Sequence, residues 1–232
     1  GGINEVGAFD GQVWVRGADR DGAYLGRFSG SAIEQVELPA GASGVKIVDV
    51  NAAGTWVTIN GELHRWSGSD WTAVPTASGI WDVSAASASE AYGLAAGNLI
   101  LRWDGTSWHE LPKPELAEQA RQITAIAPDD IWLSSQHHLS HWDGVAWTVI
   151  DAPDGRDIDE AAVGADSVPM IRAGYDRPSQ STPMYRYRNG TWELVSASVA
   201  ENGFFHLTVV PGTSQIWAYA YAPFNQRLIT NR

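Results

Sequence analysis

The sequence predicts an all-β chain, a six-bladed β-propeller of short four-stranded antiparallel blades with a three-stranded last blade. Three observations predict it. A tryptophan-bearing phrase returns roughly every 38 residues along the 232-residue chain. Each period offers up to four apolar or aromatic segments of strand length, bounded by Gly, Asp, Asn and Ser turns. No apolar stretch repeats at a helical period over a useful length. A four-stranded unit with two apolar faces cannot bury both alone, and closing such units into a ring covers every one.

The phrase reads Leu63-His64-Arg65-Trp66-Ser67-Gly68-Ser69-Asp70-Trp71-Thr72. It returns as Leu101-Arg102-Trp103-Asp104-Gly105-Thr106-Ser107-Trp108 and as Ser140-His141-Trp142-Asp143-Gly144-Val145-Ala146-Trp147. A shorter copy is Tyr185-Arg186-Tyr187-Arg188-Asn189-Gly190-Thr191-Trp192, and a worn one is Gly26-Arg27-Phe28-Ser29-Gly30. Physically this is a hairpin. An aromatic-ended strand meets a Gly turn that supplies positive φ, and a second aromatic opens the next strand. Upstream of each phrase lies a strand centred on Trp14, Trp56, Tyr92, Trp132 or Trp217. Before that comes a further apolar strand, as in Ile47–Val50, Ile80–Val83 and Ile123–Ile126.

Blades are expected at about 1–40, 41–76, 77–114, 115–153, 154–198 and 199–232, as one domain without a linker. The fifth is long because Tyr175–Pro183 reads as an inserted loop, and Pro114–Arg121 has the composition of a short helix within a loop. The final blade runs out of chain before an outermost strand. Its bare edge invites a partner strand, so assembly through that edge is one expectation and a fragment of a longer protein another.

Residues 123–151 hold the clearest copy, with Ile131-Trp132-Leu133, His141-Trp142-Asp143-Gly144 and Trp147-Thr148. This pattern resembles the Trp-Asp-Gly propeller repeats of exported and surface proteins in myxobacteria and actinomycetes, over about five of the six blades. More distantly it is similar to propeller lectins of the tachylectin and fucose-binding kinds. The resemblance implies the fold and an extracellular or cell-surface location. It carries no binding residues over.

Charge narrows the partner. With 15 basic and 27 acidic residues, net charge −12, the surface opposes nucleic-acid backbones and anionic membranes. No run of 18 apolar residues exists, so no membrane insertion is expected, and Gly1-Gly2-Ile3-Asn4 shows no basic region followed by an apolar stretch, so any signal peptide is expected to have been removed or never to have existed. Cysteine is absent, which excludes disulfides and thiol chemistry. No nucleophile elbow, P-loop or dinucleotide fingerprint occurs.

Repeated positions are the candidates for binding. A basic residue precedes the anchor aromatic at Arg27, Arg65, Arg102, His141 and Arg186. It serves either as a bond to the neighbouring blade or loop or as a donor to sugar hydroxyls and carboxylates. The second aromatics Trp71, Trp108, Trp147 and Trp192 lie just after the turn, where they either fill the wedge between blades or stack on a pyranose. Asp104-Gly105 and Asp143-Gly144 read as turn formers.

Aligned innermost strands place Glu5, Asp49, Asp82, Glu160 and His206 at one position, with Ala125 in the fourth blade. The carboxylates either accept backbone N–H groups of a neighbouring blade, hold a cation such as Ca²⁺, or form an acid–base pair. Adjacent residues on a strand point apart, so His137 and His138 are not expected to face one metal.

These residues predict a non-catalytic binding propeller that recognises a glycan or a protein partner through blade-edge loops and aromatics. The alternatives are a polysaccharide-acting enzyme using the channel carboxylates, and a structural subunit of a surface filament.

Overall fold

The computed structural model describes residues 2–20, 22–42, 44–75, 79–177, 181–197, 204–210, 212–220 and 227–230. The chain is all-β, with no α-helix among the described residues, and it divides into two compact units, Gly1–Pro112 and Lys113–Arg232.

The first unit holds three four-stranded antiparallel sheets, each strand paired with its sequence neighbour. They are β1 (Gly2–Phe9), β2 (Gln12–Asp19), β3 (Gly22–Phe28) and β4 (Ile33–Val36); β5 (Val45–Asn51), β6 (Gly54–Ile59), β7 (Glu62–Trp66) and β8 (Trp71–Ala73); and β9 (Ile80–Ser87), β10 (Glu90–Ala95), β11 (Leu99–Trp103) and β12 (Trp108–Leu111). The second unit begins with β13 (Gln122–Ala127), β14 (Asp130–Ser134), β15 (His138–Trp142) and β16 (Trp147–Asp151), then β17 (Ile158–Val163), β18 (Pro169–Ala173), β19 (Pro183–Arg188) and β20 (Thr191–Ala197). Its third sheet has three strands, β21 (Phe204–Val209), β22 (Ile216–Ala220) and β23 (Arg227–Thr230), in that order.

The repeated phrase is the third-to-fourth-strand hairpin of its sheet, and its turn chemistry is local. Asp104 Oδ1 accepts the backbone N–H groups of Thr106 at 2.8 Å and Ser107 at 2.9 Å. Asp143 Oδ1 accepts those of Val145 and Ala146 in the same way. These amides hold both carboxyls below the usual carboxylate range. The shorter copy uses Asn189 (φ 52°) and Gly190 (φ 79°), the two successive left-handed residues of a two-residue hairpin turn.

Tryptophan fills the space between sheets. Trp14 on β2 is fully buried and meets Trp66 and Trp71 of the next sheet edge-on, both at 5.6 Å. One repeat later Trp56 on β6 meets Trp103 at 5.8 Å and Trp108 at 5.7 Å. In the second unit Trp132 on β14 packs in one apolar cluster with Tyr185 and Trp192 of the following sheet. Trp14 and Trp56 are thus each received by both hairpin aromatics of the next repeat, and Trp132 shares its cluster with one of them, Trp192.

One expectation, the short helix at 114–121, meets a different outcome, while the inserted loop lies between β18 and β19 as read. Residues 114–121 form no helix. The Leu116 N–H turns back to the Pro114 carbonyl, and the Arg121 N–H pairs with the Ser134 carbonyl as a lead-in to β13. The side chain of Glu118 is drawn to the β14–β15 turn, so the backbone is spent on tertiary contacts. In the inserted loop, Asp176 and Ser181 close a bridge by reciprocal backbone bonds of 2.8 and 3.2 Å. Residues 178–180 of that loop lie outside the described residues.

Candidate binding site

Four of the five residues of the basic column are engaged within their own sheets, and the fifth, Arg27, is exposed. Arg65 donates through Nε to the Ala53 carbonyl and lies over the Trp56 ring at 5.7 Å. Arg102 Nε is 2.6 Å from Glu90 Oε1, which also accepts the Tyr92 hydroxyl. Arg186 pairs with Glu193 on the adjacent strand at 2.8 Å. His141 Nε2 is 2.9 Å from Asp130 Oδ1, and its ring stacks on Trp132 with centroids 4.3 Å apart. Each bond runs to the preceding turn region or a neighbouring strand. Asp130 is a hub that sequence reasoning missed: the same oxygen accepts Trp132 Nε1 at 2.9 Å and Ser167 Oγ at 2.8 Å. Ser167 comes from the β17–β18 turn, a contact with no local sequence signal.

The second aromatics Trp71, Trp108, Trp147 and Trp192 are half-buried. Trp71 Nε1 donates to the Glu37 carbonyl at 3.1 Å and Trp192 Nε1 to the Asp151 carbonyl at 2.8 Å. Each indole thereby straps its hairpin to the end of the preceding sheet's outer strand.

Where that strap crosses, the first unit has a groove of about 680 Å³. One wall is the extended segment from Gln35 to Ala40, and the other is the hairpin residues Trp66, Ser69, Asp70 and Trp71. A smaller groove, about 330 Å³, lies one repeat along between Arg65, Thr72 and Pro75 on one side and Trp103 and Thr106 on the other. The larger groove joins indole surface to Glu37, Asp70, Ser69 and Gln35, and among the described residues no basic one lines it. Carboxylates, hydroxyl and amide beside an aromatic suit a neutral hydroxyl-rich ligand or a cationic one, and repel an anion.

The inner-strand position shows a shared backbone device. Between Ile3 and Glu5, Ile47 and Asp49, Ile158 and Glu160, and Phe204 and His206, the register with the second strand slips by one residue. The third sheet slips likewise, Ile80 facing Ala95 and Asp82 facing Leu94. Such bulges turn the following side chain out of plain alternation. The fourth sheet, with Ala125 at this position, keeps regular pairing from Gln122 to Ala125. Bulge and polar residue therefore occur together.

These side chains do not share one partner. Glu5 accepts the Ile47 N–H of the neighbouring sheet at 2.9 Å, with Arg16 3.9 Å away. Asp49 accepts the Val50 N–H at 2.8 Å and Asn51 Nδ2 at 2.7 Å; burial pushes its carboxyl up, against those two bonds. Asn51 in turn accepts the Trp56 indole N–H at 3.2 Å. Glu160 lies 3.5 Å from both Arg172 and His206, so the structure brings together two members of the aligned set. Asp82 is half-buried at the same register position. Among the described residues no group of three or more His, Asp or Glu is arranged to hold a metal ion.

Two histidine clusters remain. Ser107 Oγ and Asp104 Oδ2 both contact Nε2 of His109, at 3.0 and 2.7 Å. A nucleophile relay needs the acid and the hydroxyl on opposite ring nitrogens, so this is a turn network. His137 and His138 both reach the carboxylate of Glu118, contrary to the alternation argument, because His137 sits in the turn and only His138 begins β15.

Neither a family model nor a curated protein matches the sequence. Solved structures do. YCF48 bound to D1 peptide aligns over 98% of this chain and 77% of its own, with TM-score 0.68 and 15% identity. A streptogramin B lyase aligns over 99% and 82%, with TM-score 0.65 and 13% identity. The extracellular domain of a proposed one component system from B. thetaiotaomicron aligns over 98% and 32%, with TM-score 0.62 and 12% identity. At these identities the likeness is one of fold, and it is to β-propeller-type chains.

Proposed function

We propose that this chain is a non-catalytic binding propeller whose six sheets close into one ring, that it works outside the cell or on its surface, and that it holds a neutral glycan in the groove beside Trp66 and Trp71. The groove carries this reading. It offers indole surface for pyranose C–H groups and Asp70, Ser69 and Gln35 for hydroxyls, with no basic residue in its described lining to attract an acidic polymer. A related groove one repeat along supplies a second weak site, and paired weak sites gain from multivalency. The non-catalytic reading draws support from the polar clusters, whose bonds to turns and neighbouring strands are those of scaffolding. A second reading, a protein segment as ligand, is favoured by the likeness to a chain bound to peptide.

The test is a neutral-glycan array followed by titration calorimetry, with Asp70→Ala beside the parent protein. Asp70 is exposed, so its loss should leave the melting curve in place while weakening glycan binding by about tenfold, one lost charge-assisted hydrogen bond. A flat array combined with peptide capture that Asp70→Ala abolishes would transfer the site to the second reading.

Calcium has no part in the proposed binding. Asp49 already spends both carboxylate oxygens on amide donors, and Glu5 spends one. Melting curves in Ca²⁺ and in chelator should coincide. A cation at 100 times its Kd would add about 2.7 kcal/mol, and a rise of several degrees would restore it to the inner strands.

A further inference from the structure

His137 lies in the turn between β14 and β15, and both nitrogens of its ring face carboxylates. Nδ1 meets Glu118 Oε1, and Nε2 lies 2.8 Å from Asp157 Oδ1. The neighbouring ring repeats the arrangement more loosely, with His138 Nδ1 3.2 Å from Glu118 Oε2 and Nε2 3.4 Å from Asp151 Oδ1. A neutral imidazole carries one N–H and one lone pair. Two carboxylate contacts on one ring are both hydrogen bonds only when the ring carries two protons. In the neutral ring one of them sets lone pair against lone pair.

The carboxylates come from three different segments. Glu118 belongs to the stretch leading into β13, Asp151 ends β16, and Asp157 lies just before β17. Glu118 also accepts the His137 backbone N–H and the Ser135 hydroxyl, each at 2.9 Å, and Gln136 Nε2 donates to Asp157 at 3.1 Å. The nearby arginines are committed elsewhere, Arg121 to the Ile158 carbonyl and Arg156 to Asp154 and Asp176.

We propose that His137 is the proton switch of a clasp that pins residues 113–121 to the β14–β15 turn, closed when its ring carries two protons and loosened when it carries one. The proposal is independent of the groove. The Glu118 hydrogen bond, partly opposed by desolvation, raises the His137 pKa above its ordinary 6.5. Desolvation would raise the Glu118 pKa, but the bonds from His137, Ser135 and His138 outweigh it and bring the carboxyl down to about 2. A raised histidine contributes in full below 6.5 and loses its contribution as pH climbs through the folded value. A lowered carboxyl contributes in full above 4.5 and loses its contribution as pH falls toward about 2. The clasp is thus tightest between those limits, in mildly acidic surroundings.

The experiment uses the whole chain with chelator present throughout. Imidazole NMR shifts give the His137 midpoint, and hydrogen exchange gives protection factors for residues 113–121 and for the His137 amide at pH 5.5 and 8.5. The midpoint should lie above 6.5, and protection should fall by about tenfold at the higher pH. In Glu118→Gln the midpoint should move back toward the ordinary histidine value. In His137→Gln the protection should lose its pH dependence, with an unchanged tryptophan fluorescence spectrum certifying the fold. A wild-type midpoint at or below 6.5, or protection equal at both pH values, would overturn the switch.

Discussion

Replacing Trp56 with alanine is expected to destabilise the first unit by about 3–5 kcal/mol, the range for emptying a large aromatic site that cannot collapse. Trp56 has no exposed surface and is shared between two sheets. It stands against Trp103 and Trp108, receives the Arg65 guanidinium on its face, and donates to Asn51. Its removal leaves a void lined by rigid rings and frees Asn51, which is itself tied to Asp49. Urea titration monitored by circular dichroism would show the midpoint moving down with little change in slope. Trp71→Ala provides the scale: that indole is half-buried, and the loss should be smaller. If Trp56→Ala costs less than about 1 kcal/mol, the inter-sheet wedge is not what holds these sheets together.

Asp130→Ala is expected to cost about 2 kcal/mol through stranded donors. One oxygen serves Trp132, Ser167 and His141 together. Trp132 is only 6% exposed, so water cannot replace the lost acceptor, although Ser167 Oγ at 3.1 Å retains part of the bond. The effect has a pH signature. Burial would raise the Asp130 carboxyl, but the bonds from His141, Ser167 and Trp132 outweigh it and hold it below its usual 3.8. A depressed carboxyl contributes in full above that ordinary value and loses its contribution as pH falls through the lower, folded one. The stability gap between Asp130→Asn and the parent should therefore narrow as the pH drops below about 4. A gap unchanged from pH 6 to pH 3 would mean that the carboxylate charge is not what organises the cluster.

Legibility in the sequence followed the range of the interaction. The hairpin at Trp103-Asp104-Gly105 was readable because a strand, a turn-forming Asp, a positive-φ Gly and a second aromatic sit within a few residues. The three-stranded last sheet was readable from the length of chain left after β20. The aligned inner-strand position was readable as well, since its five polar residues share the bulge that the fourth sheet lacks. The helix expected at Pro114–Arg121 did not form, because its composition says nothing about the pull of Glu118 toward a turn 19 residues away.

The site was less legible for the same reason. Alternation forecast the sheet face of each basic residue but not its acceptor. Arg102 finds Glu90 and Arg186 finds Glu193, each a matter of which strands lie side by side. The groove beside Trp71 exists because the segment after β4 runs past the next sheet's hairpin, which no single repeat contains.

Local chemistry was thus written in the chain: where strands begin and end, which turns close, which positions carry aromatics. Partnership was settled by packing alone: which indole enters which wedge, which carboxylate gathers Trp132, Ser167 and His141, and how two adjacent histidines converge on Glu118. Backbone preference acts over a few neighbours, whereas a buried donor or ring takes whatever the fold brings within reach.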